Sequence, residues 1–199
     1  MENPSSPVIP LQLRRDRGYV YFPDAIESCL RHFSSCRPEG VRAECYKISD
    51  RQIRAQELSG EFFDRRDPEI FGTIFWRERG LERQLILREE LTSNPARYDL
   101  PEPVFDFKLS EMQMKVGGES SFPTVFHRWA ACCKRLYHHA DPSGGRRMLL
   151  QRMETFNLQD RANETFKLEF MTPERFMKFS VLQNGKLAGE VIAAAREMS

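Results

Sequence analysis

Four residues near the start of the chain have the chemistry to hold a metal: Cys29, His32, Cys36 and Cys45. The first three recur at i, i+3 and i+7, which places them on one face of a helix, and the fourth would arrive on the following strand. Zinc accepts three thiolates and an imidazole in a tetrahedral shell. Structural zinc sites, however, draw paired ligands from knuckle turns. Cys29 also falls on an apolar stripe, where a free thiol packs as a small hydrophobe. The expectation is a fold built without metal or cofactor, with this set as the alternative.

A second cluster comprises His127, Cys132, Cys133, His138 and His139. A Cys–His nucleophilic pair needs its partners to meet only in space, but no local motif supports one. Cys133 lies on a helical stripe, and His138-His139 fall at that helix's C-terminal end, where a protonated imidazole meets the dipole favourably. Gly144-Gly145-Arg146-Arg147 could form a backbone nest with two guanidiniums behind it, yet a turn there needs glycine anyway. No GxxxxGK[ST] or GxGxxG occurs. Glu89-Glu90 and the Glu102/Asp106 pair have no Lys or His at a telling spacing, so no catalytic residue is assigned.

Arginine outnumbers lysine 23 to 7, and guanidinium suits bidentate contacts to phosphate and stacking on rings. Arg65, Arg66, Arg77, Arg79, Arg146 and Arg147 fall in expected turns or beside the aromatic strand containing Phe75 and Trp76. Basic residues interleaved with aromatics can hold single-stranded nucleic acid. The net charge is only +1, so any such binding would be local.

The elements that would position these residues follow from periodicity. Pro4, Ser5, Ser6, Pro7 and Pro10 predict a flexible tail over 1–17 with two P-x-x-P spacings, followed by a single domain over 18–199. Tyr19–Phe22 reads as a strand. Asp24 reads as the N-cap of a helix carrying Ile26, Cys29, Leu30 and Phe33. A strand over Val41–Ile48 and a second helix from Ser49 through Ile53, Leu58 and Phe62 come next. Ile70–Trp76 is a buried strand, and Leu81–Leu91 is read as part of a hairpin. Phe105, Phe107 and Leu109 alternate, then Met112, Met114 and Val116 resume out of phase, predicting a bulge or bend near Ser110-Glu111.

Phe126, Trp129, Cys133 and Tyr137 define the clearest amphipathic helix, opened by Pro123. A further helix is expected through Met148, Leu149, Met153 and Phe156, and a strand through Phe166, Leu168 and Phe170. Asn184-Gly185 predicts a type I′ turn or a helix cap, and Val191–Ala195 a closing helix. The fold class expected is α+β: a mixed or antiparallel sheet of about five to seven strands with several packed helices.

Fifteen Phe and two Trp in 199 residues supply a large core, and no apolar run reaches bilayer-spanning length. Five cysteines, an odd count without a disulfide framework, point to the reducing cytoplasm or nucleus. The functional reading is a non-enzymatic interaction or regulatory protein that binds a protein partner. The alternatives are an RNA-binding protein using the Arg-rich turns, and an enzyme of unrecognised type.

Overall fold

The computed structural model describes residues 8–9, 11–14, 19–58, 63–90, 96–98, 106–117, 124–142, 146–156, 163–171 and 175–197. Within it the chain forms two compact units, Met1–Pro101 and Glu102–Ser199. No described helix is long and apolar enough to cross a membrane.

Unit 1 runs β1 (Val8–Ile9), β2 (Gln12–Arg14), α1 (Phe22–Phe33), β3 (Glu39–Cys45), β4 (Ile53–Glu57), β5 (Ile70–Glu78), β6 (Leu81–Glu89) and β7 (Ala96–Tyr98). Its antiparallel strands lie in the order β1-β4-β6-β5-β3, and β2 pairs with β7 in parallel. β4 and β5 are both antiparallel to β6 and so point the same way, which obliges the connection between them to cross over. Pro23 stands at the start of α1, where its missing N–H costs nothing, and Ile26, Cys29 and Leu30 bury one face as their spacing predicts. Ile9 and Leu11, inside the stretch expected to be a tail, are buried, and β1 pairs with β4. Pro4, Pro7 and Pro10 lie outside the described residues.

Unit 2 runs β8 (Asp106–Ser110), β9 (Gln113–Gly117), α2 (Val125–Ala140), β10 (Arg146–Thr155), β11 (Glu164–Met171), β12 (Phe176–Gln183) and β13 (Lys186–Glu197). All its pairs are antiparallel, in the order β10-β13-β12-β11-β9-β8. α2 packs on β9, β10 and β11 and buries Phe126, Trp129, Cys133 and Tyr137, the face expected from their spacing.

The described residues hold thirteen strands and two helices, which corrects the expected five to seven strands with several helices. Three segments read as helices are strands: β4, β10 and β13. Ile53 and Ala55 are fully buried while Arg54 and Gln56 are not, a period of two. β10 and β13 are rich in Leu, Met and Ala, good helix formers, but they pair with each other along almost their whole length, and such pairing overrides a weak local preference. Of the expected bulge or bend after Ser110, the chain takes a bend, a hairpin turn at Glu111-Met112 that joins β8 to β9. Tyr21 and Phe22 cap and open α1 rather than forming a strand. Asn184 and Gly185 both have positive φ, the type I′ geometry, and Arg79-Gly80 repeat it between β5 and β6.

Candidate functional site at the start of helix α2

The groups singled out by sequence are dispersed. Arg65 stands 3.5 Å from Glu44 and over the Tyr46 ring, where Arg42 also meets that carboxylate. The amide of Arg66 closes a turn on Asp64. Arg77 faces Glu82 at 3.9 Å, and Arg79 occupies the tight β5–β6 turn. Arg146 and Arg147 lie on β10, opposite Glu197 and Arg196, rather than at a helix start. Gly144, Gly145 and Glu102 lie outside the described residues. Glu89 and Glu90 are engaged by Lys47 and Arg54 at 2.7 and 2.6 Å.

The zinc set does not converge. Cys29 is in the core, its thiol pushed up to about 12 by burial. His32 meets Phe33 edge to face, Cys36 reaches Glu78, and the Cys45 thiol donates to the Lys47 carbonyl. Among the described residues no three His, Cys, Asp or Glu side chains are grouped as metal ligands would be. Cys132 and Cys133 are buried, and burial raises both thiols, so neither is poised as a thiolate.

His127 has a different partner. Its Nδ1 lies 2.8 Å from the hydroxyl oxygen of Thr124, the N-cap residue of α2. That hydroxyl also accepts the His127 amide, a cap that satisfies one orphan donor of the first turn. Arg128, four residues from Thr124, lies on the same side of the helix. Its Nε and one terminal nitrogen bind both oxygens of Glu164 at 2.7 and 2.8 Å. The same carboxylate accepts the Trp129 indole N–H and the Gln183 side-chain amide, each at 3.0 Å. Glu164 opens β11 and Gln183 closes β12, and the two are direct cross-strand partners.

The Glu164 side chain is 1% exposed and takes four donors, so it serves as an anchor rather than a base. Arg128, 20% exposed, is held by that anchor. The first-turn amides point out of the helix end with no acceptor inside it. Together these groups present an activatable oxygen, a proton acceptor and positive potential within one turn, the parts that acyl transfer requires. Of them, sequence reasoning reached only His127. Thr124 three residues before it, directly after a proline, was the available signal for a cap, whereas nothing local joins Arg128 to a glutamate 36 positions away.

Neither a family model nor a curated protein sequence matches the chain. Its fold does match solved structures. A tesB protein of Mycobacterium avium subsp. paratuberculosis is similar at a TM-score of 0.52 with 10% identity, over 95% of this chain and 91% of that one. An acyl-CoA thioesterase II, TesB2, of Mycobacterium marinum gives 0.45 with 10% identity, over 89% and 88%. A protein of Alicyclobacillus acidocaldarius described as having a hot dog fold gives 0.43 with 7% identity, over 89% and 85%. The likeness to the tesB protein shows a shared fold across nearly the whole chain. The expected non-enzymatic regulatory or protein-binding role is corrected here: proteins named as thioesterases stand among the similar structures.

Proposed function

We propose that the chain hydrolyses acyl thioesters at the first turn of α2. The single observation that carries this reading is the 2.8 Å contact between the Thr124 hydroxyl and His127 Nδ1. It is the geometry of a nucleophile paired with its base. The substrate class follows the acyl-CoA thioesterase among the similar structures.

In the proposed reaction His127 Nδ1 takes the Thr124 proton as the oxygen attacks the thioester carbon. A C–O bond forms, the C–S bond breaks, and the imidazolium returns the proton to the departing thiolate. Water, deprotonated by the same imidazole, then hydrolyses the acyl-threonine ester and restores the hydroxyl. Negative charge on the carbonyl oxygen is met by the helix end and the fixed guanidinium of Arg128, both oriented before the reaction.

The test is thiol release from a series of acyl-CoA esters by the purified chain. His127→Ala should lower kcat about 10²–10⁴-fold, the usual contribution of a general base. Thr124→Ala should abolish an acyl adduct on the peptide containing residue 124, detected by mass spectrometry after acid quench. Hydrolysis that survives both substitutions would overturn the assignment, as would absence of thiol release across chain lengths.

A further inference from the structure

We propose that the exposed side of α2 holds the phosphates and adenine of coenzyme A, a subsite that rests on the thioesterase reading above and gives that reaction its carrier. α2 contains no Asp or Glu over its 16 residues. Its inner side is apolar, and on its outer side Lys134, Arg135, His138 and His139 are exposed. Lys134 and His138, like Arg135 and His139, are four residues apart and lie one above the other. Arg128 precedes Arg135 by two turns on the same side, but its charge is answered by Glu164 at 2.7 Å. The cationic stretch therefore begins at Lys134.

Two acidic residues lie close in sequence to this stretch or to the strand beside it. Asp141, the C-cap residue, accepts the Tyr137 hydroxyl at 3.1 Å. His138 is held below the ordinary imidazole value, first by burial and then by repulsion from Lys134, against a weaker pull from Asp141. At His138, then, positive charge outweighs negative. Asp106 and Lys108 on β8 point away from α2, because Phe107 between them meets Arg135 and neighbours on a strand alternate in face. Lys134 and Arg135 stand ahead of the last turn, and the helix-end carbonyls act only over that turn.

The spacing along α2 fits the arm of coenzyme A. Arg135 follows Thr124 by eleven residues, about three turns or 16 Å along the axis, and so lies on the same side of the helix. From a thioester sulfur to the first phosphate the pantetheine arm has about thirteen bonds, equivalent to ~4 residues of extended chain or ~15 Å. A thioester seated at Thr124 thus brings its phosphates to Lys134 and Arg135, whose N–H groups make charge-assisted bonds to phosphate oxygens. Beside them Phe107 is 36% exposed, with the Arg135 guanidinium 4.5 Å from its ring centre. An exposed ring next to a guanidinium is a platform on which a purine stacks. A bare anion would use the cations alone, whereas coenzyme A uses cations and ring together.

The experiment is calorimetric binding of free coenzyme A and of pantetheine to the full chain at low and high salt, with kcat and KM measured on matched acyl-CoA and acyl-pantetheine esters. Coenzyme A should bind about tenfold or more tighter than pantetheine, and that margin should shrink as salt rises. Lys134→Glu with Arg135→Glu should remove the margin, leave pantetheine binding unchanged, and raise KM for the acyl-CoA about tenfold with kcat unaltered. Phe107→Ser should weaken coenzyme A while leaving phosphopantetheine, which lacks the adenine, unaffected. Equal affinity of the wild-type chain for coenzyme A and pantetheine would overturn the proposal. So would equal competition by inorganic tripolyphosphate, which would mark an unspecific cationic patch. Phosphate-dependent binding without thiol release would support this subsite and remove the reaction, whereas thiol release at the same KM from both esters would do the reverse.

Discussion

Glu78 is a buried carboxylate whose charge is wanted. It accepts the Ser35 hydroxyl at 2.6 Å, the Ser35 and Cys36 amides at 2.7 and 3.1 Å, and approaches the Trp76 indole. Bonds from the Ser35 hydroxyl and amide hold its carboxyl down to about 2. The folded-state value lies below the unfolded one, so this stabilisation is complete above the ordinary carboxylate value, ~4.3, and lost as pH falls toward about 2. A Glu78→Gln variant should lose less stability than the wild-type chain on acidification through that window, read as the shift in urea midpoint. Glu164 is bound as fully, and removing its charge by Glu164→Gln leaves Arg128 without its counter-ion. The expected loss is about 3–5 kcal/mol in urea unfolding at neutral pH. Cys36 is exposed, while Cys29 and Cys45 are pushed up to about 12, chiefly by burial. A thiol reagent near pH 8 should therefore modify Cys36 in a fast phase that Cys36→Ser removes; a fast phase that persists would place another cysteine at the surface.

The strands that imitate helices show where periodicity fails. In β13 the run Leu-Ala-Gly-Glu-Val-Ile-Ala-Ala-Ala has the composition of a helix, yet its Gly189 is small because α2 lies against it. A Cβ at Gly189 would stand 2.2 Å from the Glu154 carbonyl oxygen and 2.4 Å from the Trp129 ring. Gly189→Ala should thus cost ~1–3 kcal/mol or more, the range for overpacking a filled core. Trp129→Ala, itself worth a loss of ~3–5 kcal/mol for a fully buried indole, should not rescue it, because the nearer obstacle is backbone. Full recovery in the double variant, measured by thermal melting, would show that the ring alone sets the constraint. α1, α2 and β11 were legible because their burial follows a clean period of their own, and β5 because its first five residues form one continuous buried run. β10 was not: Met148, Leu149 and Leu150 are all half-buried, so the run presents no alternation to read.

Among the described residues both units share an order of elements: two strands, a helix, then four strands of the antiparallel sheet, to which unit 1 adds β7. Those four are arranged differently. Unit 1 places them β3-β5-β6-β4, and unit 2 places them β10-β13-β12-β11, so the final two strands exchange positions. Unit 2 needs only hairpins from β11 onward, whereas unit 1 needs the crossover between β4 and β5. The helices among the described residues, of 12 and 16 residues, are a small share of 199. Far-ultraviolet circular dichroism should accordingly show a β-dominated spectrum with a helix content near that share. A helix-dominated spectrum would restore the several-helix arrangement expected from composition.

The amino-acid sequence by itself determined the two amphipathic helices, a chain reversal or cap at Asn184-Gly185 that the structure resolved as a type I′ turn, and a core rich in aromatic side chains. These rest on contacts within a few residues, where spacing and backbone chemistry act directly. Which Leu-, Met- and Ala-rich runs become strands was decided by partners far along the chain, since β10 has a surface to pair with only once β13 is in place. The candidate site divides in the same way. Thr124 and His127 are three positions apart on one turn and could be read together. The anchoring of Arg128 by Glu164, with Trp129 and Gln183 closing around that carboxylate, exists only after β11 and β12 have packed under α2.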